Sequence, residues 1–468
     1  MTEIGEKSPV RVGTVVGLLV LFELTSGFIQ GGISPLLPDL GSEMGISDAH
    51  LNWVISVQLL AAAVSVPAFG RLGDLHGHRR MLRIALAAVA IGSVLSALAP
   101  NLTVLLAGRL LIGPLAALLP LEIALVRDRL PVGLARAAIA RLVGALTLGG
   151  LLGGVLTAGL HQVIGDARLT LLVPALLAVA CVPVSFLAVP ESTSLATGRL
   201  DLPGTILLSA TMMALLAGLS LLGTAAAIGV ALTVLGLFGF AAWVVLELHT
   251  AEPLVDLRAL AGRHVAPFFG CSFAFGIVYF GSQSPDSTFL AADRADTGYG
   301  FGFTALQISL VALPAAVTAV IGSACTALIA GRFGYRRTLM VAFAVIGLGF
   351  VSTAFFHAEI WQLLAAKLPI GLAGGLALGA MPTVIAETAE PSRTGITTAL
   401  YNNVKTLGGA VAGGVVAAIL AAVVLGDGET PRESAYVAVW LMCALLCVLA
   451  AVGAGFARRT EEGPILVR

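Results

Sequence analysis

No Asp, Glu, Lys or Arg stands between Arg83 and Arg109, between Asp201 and Glu247, between Lys405 and Asp427, or between Glu433 and Arg458. A helix of about 20 apolar residues crosses about 30 Å of hydrocarbon and satisfies its own backbone while doing so. Cut at its charged and Pro/Gly clusters, the chain divides into fourteen such segments. They lie near 13–36, 51–70, 80–99, 103–126, 138–162, 168–189, 203–223, 226–248, 265–290, 305–330, 337–356, 360–386, 396–424 and 434–456. With only 11% charged residues and a mean hydropathy of +1.00, most of the chain cannot face water. No segment alternates with period two, which argues against a β-barrel. The spacing predicts an all-α integral membrane protein.

Charge placement predicts the orientation. If the N-terminus is cytoplasmic, the inner loops and tails collect Lys7, Arg11, Arg71, Arg79, Arg80, Arg83, Arg127, Arg129, Arg136, Arg141, Arg199, Arg258, Arg263, Arg332, Arg336, Arg337, Arg393, Arg458, Arg459 and Arg468. The outer loops hold Arg168, Arg294 and Arg432 alone, so both termini are expected in the cytoplasm. The first apolar stretch is too long for a signal-peptide core and is expected to remain as the first span. The bias toward Arg, Ala and Gly, with lysine only at Lys7, Lys367 and Lys405, hints at a GC-rich bacterial genome. The expected location is therefore a bacterial cytoplasmic membrane. Equal numbers of acidic and basic residues, 26 each, give no reason to expect a nucleic-acid partner. Cys181, Cys271, Cys325, Cys443 and Cys447 sit inside apolar runs, without the loop placement of a disulfide framework and without companions for a metal site. No cofactor is implied.

The chain also repeats itself. "GHRR" at 77–80 matches "GYRR" at 334–337, "LLAGRLLIG" at 105–113 matches "LLAAKLPIG" at 363–371, and "TLGG" at 147–150 recurs at 406–409. The offsets of 257, 258 and 259 make the last six spans a parallel copy of the first six, and leave the pair near 203–248 as an insertion. The expected organisation is an N-terminal six-helix bundle over 1–190, polar linkers and a two-helix hairpin over 191–263, and a C-terminal six-helix bundle over 264–468.

Parallel six-helix repeats about an axis along the membrane normal, with a site between them near the midplane, belong to one transporter architecture. The chain resembles the major facilitator superfamily, and its central pair resembles the 14-helix drug:proton antiporter branch. "GRLGDLHGHRR" at 70–80 is similar to the superfamily's signature loop between helices 2 and 3, with Gly70, Leu72, Asp74, Gly77, Arg79 and Arg80 in place and Leu75 where a basic residue is common. The resemblance implies that this loop docks one half onto a helix of the other, with Asp74 at a helix N-terminus. The plainer reading, a topology signal, accounts for the arginines but not for Asp74 or the glycines. His76 and His78 fit no coordination set and are read as solvated.

"LLAGRLLIG" sets Arg109 about six residues into helix 4, roughly 9 Å deep. A charge there needs an interior partner unless it snorkels. The antiporters carry an arginine here linked to proton transfer, a role the resemblance assigns to Arg109, with Lys367 as its repeat mate. Glu23 lies near the midplane of helix 1 without a cation within a turn. A carboxylate there can alternate between protonated and charged forms, so Glu23 is the expected coupling acid and a candidate partner of Arg109. The 14-helix relatives often place an aspartate later in this helix, where this chain has Gln30. Helix 5 carries Gly144, Gly149, Gly150, Gly153 and Gly154, similar to a glycine-rich antiporter motif but with Gly150 where that motif has proline. Spacing of this kind also serves close helix packing. Glu122 with Arg129 and Glu387 with Arg393 are expected to form a cytoplasmic gate network together with the arginine loops. Phe28, Gln30, Gln58, Tyr279, Gln283 and Asn402 are expected to line the substrate cavity. Asp286 lies toward the outer end of helix 9, and Lys405 lies as deep in the penultimate span as Glu23 does in the first.

These readings predict a monomeric, proton-coupled exporter of amphipathic drug-like or secondary-metabolite molecules in the lipid bilayer. A solute:proton symporter or a lipid or siderophore carrier on the same scaffold is the alternative. No HExxH, GxSxG or intramembrane Asp pair suggests an enzyme.

Overall fold

A computed structural model describes residues 12–130, 132–188, 201–221, 225–251, 253–254, 257–260, 266–388, 394–425 and 430–456. The described residues are almost wholly helical. The N-terminal half contains α1 (Val12–Ile33), α2 (Leu37–Met44), α3 (Asp48–His76), α4 (His78–Ala97), α5 (Leu102–Ile112), α6 (Leu115–Arg129), α7 (Val132–Ile164) and α8 (Ala167–Ala188). The central pair is α9 (Leu202–Leu221) and α10 (Ala226–His249), followed by the short α11 (Leu257–Leu260). The C-terminal half contains α12 (Ala266–Gly281), α13 (Gln283–Ala291), the short α14 (Arg294–Thr297), α15 (Ala305–Phe333), α16 (Tyr335–Phe355), α17 (Ile360–Thr388), α18 (Thr394–Ala422) and α19 (Glu433–Phe456).

Among the described residues twelve helices are long and apolar enough to cross a membrane. The apolar α9 and the broken pair α12–α13 bring the passes to fourteen. Three passes expected as single helices are broken, each at a proline or a neighbouring small residue. Pro35 and Pro38 divide the first into α1, a 3-10 turn at Ser34–Leu36, and α2. Gly113 and Pro114 separate α5 from α6, and Ser282 separates α12 from α13 three residues before Pro285. Proline lacks the N–H that an uninterrupted helix would use, so these are the places where the ladder gives way.

The repeat survives into the packing. Contacts of α1 with α7 and α8 are matched by those of α12 with α18 and α19, and the pair α4–α8 by α16–α19. The short turns repeat as well. Gly77, between α3 and α4, has φ 93° and ψ 130°, and Gly334, between α15 and α16, has φ 83° and ψ 146°. Backbone at positive φ is open to glycine and strained for L side chains, so one glycine in each half is fixed by the same turn.

The halves meet along two seams that exchange under the repeat, α3 with α18 and α15 with α7. On the first, a Cβ at Gly413 would fall 1.4 Å from Ser56 Oγ, so only glycine permits this approach. On the second, Ser309 Oγ donates to the Gly154 carbonyl at 2.8 Å. Ser34 Oγ lies 3.1 Å from Ser287 Oγ between the two first helices. All of these contacts lie toward the helix ends remote from the 69–80 loop. The halves are therefore closed together at the end predicted to face outward.

The α9–α10 pair rests with α9 against α18 and α3, covering the first seam from outside. Its far side is apolar and open, with Phe238 73% exposed, as a lipid-facing surface requires.

Candidate functional site

Glu23 of α1 and Glu122 of α6 are buried side by side in the N-terminal half, 1% and 0% exposed. Their carboxyl groups lie within interaction range of each other, yet no well-directed hydrogen bond reaches any of the four oxygens. Thr25 and Cys181, itself paired Sγ to Oγ1 at 3.5 Å, complete the polar surroundings. Two adjacent carboxyl groups closed off from solvent are costly to ionise together unless a cation or water stands beside them.

This arrangement corrects the expected role of Glu122. The sequence places it with Arg129 at the inner surface, whereas the structure turns it into the bundle beside Glu23. The break at Gly113–Pro114 and the proline at Pro120 reset the path of this pass, so a count from its outer end misjudges the depth. Counted back from Arg129 at 1.5 Å per residue, Glu122 stands about two turns inside. The side chains of Arg129 and Glu387, and Arg393 entirely, lie outside the described residues.

Arg109 is buried, but its partner is not Glu23. Its Nε donates to the carbonyl of Val54 in α3 at 3.1 Å. The contact answers the cost of a charge at this depth with a helix backbone rather than a carboxylate. Its repeat mate takes the other solution. Lys367 Nζ stands 2.6 Å from Asp286 Oδ2, and Trp440 Nε1 donates to Asp286 Oδ1 at 3.1 Å. Asp286 and Lys367 border a cavity of about 150 Å³ that Ser34, Ser287 and Gln283 also line.

Asp74 Oδ1 meets His78 Nε2 at 3.2 Å, one turn on, where the resemblance led us to expect a helix N-terminus of the other half. His78 is correspondingly packed and not solvated, its ring filling the space a Cβ at Gly73 would enter. Gly77 holds the positive-φ turn between α3 and α4, whereas Gly70 has open space around it. Arg79 is half-buried and Arg80 exposed.

Of the six residues expected along the cavity, Gln283 alone lines the one described above. Phe28 is buried, and Gln30 turns back to Ser26, its Nε2 3.2 Å from Ser26 Oγ. Gln58 is buried with its Oε1 unpartnered. Tyr279 is open on one side and stacks on Phe275 at 5.6 Å. Asn402 is half-buried on α18. The helix-5 glycines divide by face. A Cβ at Gly149 would fall 2.1 Å from the Leu24 carbonyl and one at Gly153 2.3 Å from that of Phe28, while Gly150 and Gly154 stand slightly farther from α1 and Gly144 faces open space. These glycines thus bring α7 against the helix that carries Glu23.

The family profile of the Major Facilitator Superfamily matches residues 19–291 and again 268–466. The chain is 28% identical to the cephamycin export protein of Amycolatopsis lactamdurans, over 93% of this chain and 91% of that one. It is 25% identical to a multidrug efflux pump of Mycolicibacterium smegmatis, over 91% and 84% respectively. Among solved structures, a nucleoside transporter superposes with a TM-score of 0.66, covering 95% of this chain and all of that one at 14% identity. The xylose transporter of E. coli does so at 0.64, covering 97% and 99% at 12% identity. Paired six-helix repeats, buried ionisable side chains between and within them, and a family match spanning nearly the whole length converge on one conclusion: the chain belongs to the Major Facilitator Superfamily and is a multi-pass membrane transporter.

Proposed function

We propose that this transporter exports amphipathic drug-like or secondary-metabolite compounds in exchange for protons, as a monomer in a bacterial cytoplasmic membrane with both termini inside. The observation that carries the coupling is the buried Glu23–Glu122 pair. A proton is the smallest ligand that answers two adjacent carboxyls without a cation, and its arrival and departure change the local charge by one unit. The direction of transport is supported by the relatives, an export protein and an efflux pump that the chain matches along most of its length.

With the 69–80 loop on the cytoplasmic side, closure of the α3–α18 and α7–α15 seams is closure toward the outside. The conformation is then the inward-facing one, and the Glu23–Glu122 pair is sealed in its protonated form. Deprotonation toward the cytoplasm would leave a charged pair in a dry site, which water must enter to stabilise. Substrate binding in that state, reopening of the seams to the outside and reprotonation there complete an antiport cycle. Asp74, which meets His78 in this conformation, is the residue expected to engage the other half when the inner end closes.

The test uses purified protein in sealed proteoliposomes with an imposed pH gradient and a panel of lipophilic cations, neutral drugs, organic acids and sugars. Movement of an amphipath against its own gradient, driven by inward proton flow and abolished by a protonophore, is the expected result. Gradient-independent equilibration of every compound would overturn proton coupling.

A further inference from the structure

We infer that Lys405 is a binding site for the anionic group of the transported molecule, so that the preferred cargo is an amphipathic acid. The inference rests on the export reading above and names its substrate class. The chain places two lysines within membrane-spanning helices. Lys367 has its counter-ion, Asp286, at 2.6 Å. Among the described residues Lys405 has none, and the one described contact of its ammonium is with the Tyr401 ring, 5.7 Å from Nζ to the centroid. An ammonium in hydrocarbon without an anion is costly and tends to be functional.

Its neighbours offer no acid. α18 itself carries none, nor do α9 and α12, which pack against it. The acids of α3, Asp48 and Asp74, stand near its two ends. α17 has only Glu387, in its last turn, and α19 only Glu433, in its first. Among the described residues Lys405 therefore draws no counter-charge from the helices that pack on it, which leaves the place of its anion to the cargo.

Position supports the same conclusion. Lys405 is one turn from Gly409, where a Cβ would fall 2.4 Å from Phe280 and 2.8 Å from Leu59 of α3, at the seam where the halves are pressed together. Along that face it sits toward the predicted inner side, under the closed roof of the cleft, and it is only half-buried. Residues four apart share a helix face, so Tyr401 and Lys405 present a hydroxyl and an ammonium together. The Tyr401 hydroxyl is buried and makes no hydrogen bond among the described residues. A carboxylate, sulfonate or phenolate accepts from both the ammonium and the hydroxyl, whereas a lipophilic cation meets repulsion from Lys405.

The test is equilibrium binding to the full-length protein in detergent, without a pH gradient, of three ligands on one ring: 2-naphthoate, 2-naphthamide and 2-naphthylmethylammonium. The unmodified protein is expected to bind naphthoate about tenfold or more tightly than naphthamide, the scale of one charge-assisted contact, and the ammonium most weakly. Lys405→Met and Lys405→Gln should erase the preference, and Lys405→Arg should retain it. Equal affinity across the series in the unmodified protein overturns the assignment without needing any variant to fold. So does a naphthoate preference that persists in Lys405→Met. A preference that depends on Lys405 in a protein that shows no gradient-driven transport would leave this assignment standing while refuting proton-coupled export.

Discussion

The two halves descend from one repeat yet bury opposite charges. The N-terminal half holds two carboxyls, Glu23 and Glu122, with no cation between them, and sends its arginine to a backbone carbonyl. At the position matching Arg109 the C-terminal half has Lys367, pairs it with Asp286, and keeps a second lysine without an acid. Side chains that satisfy one another hold a fold together. Those left wanting a proton or an anion mark where a mobile charge enters. The difference therefore separates the architecture of this transporter, which is symmetric, from its chemistry, which is not.

The strongest way to break the comparison is at the satisfied pair. Lys367→Met should leave the partly buried Asp286 with Trp440 alone, and leaving a hydrogen-bonded group without its partner costs about 1–3 kcal/mol. The double variant Lys367→Met/Asp286→Asn should recover much of that loss. Thermal unfolding in detergent checks both, and a double variant no better than the single would show that the two side chains are not coupled. Lys405→Met sharpens the contrast. Deleting an ammonium that has no counter-ion should leave stability unchanged or raised within about 1 kcal/mol, since it removes a desolvation cost and no pair. A drop as large as that of Lys367→Met would mean that Lys405 is structurally paired.

The smallest expected effect belongs to Asp74, whose partner in this conformation is the adjacent His78. If Asp74 reaches a helix N-terminus of the other half only when the inner end closes, Asp74→Asn removes about 0.3–1 kcal/mol from that state alone. Turnover should fall roughly two- to fivefold with substrate affinity little changed. Spin-label distances between the inner ends of α3 and α18 should shift toward the open form. An unchanged distribution with normal turnover would reduce the loop to a topology signal.

How much of this was legible beforehand follows from the range of each interaction. The passes, the repeat and the inserted pair were readable because hydropathy and the recurring "GHRR", "LLAGRLLIG" and "TLGG" segments are properties of the linear chain. Glu23 stood out because a lone acid in an apolar run is conspicuous by itself. Its neighbour was not readable, because nothing in "LPLEIAL" says that the break at Gly113–Pro114 sets Glu122 beside α1. The pairing of Lys367 with Asp286 bridges 81 positions of sequence, and the repeat supplied a mate for Lys367 but not an anion. Arg109 found a main-chain carbonyl, a partner that every residue offers and no sequence pattern marks. The break between α12 and α13 was foreshadowed by Pro285 alone.

If Glu23 and Glu122 carry the coupled proton, Glu23→Gln separates movement from coupling in one vesicle preparation assayed two ways. Substrate exchange at equal pH on both sides needs the alternating movement but no proton release, whereas accumulation under a pH gradient needs both. The account predicts that Glu23→Gln retains exchange within a fewfold of the unmodified protein and loses gradient-driven accumulation by tenfold or more. Accumulation by Glu23→Gln that matches the unmodified protein under the same gradient would contradict it.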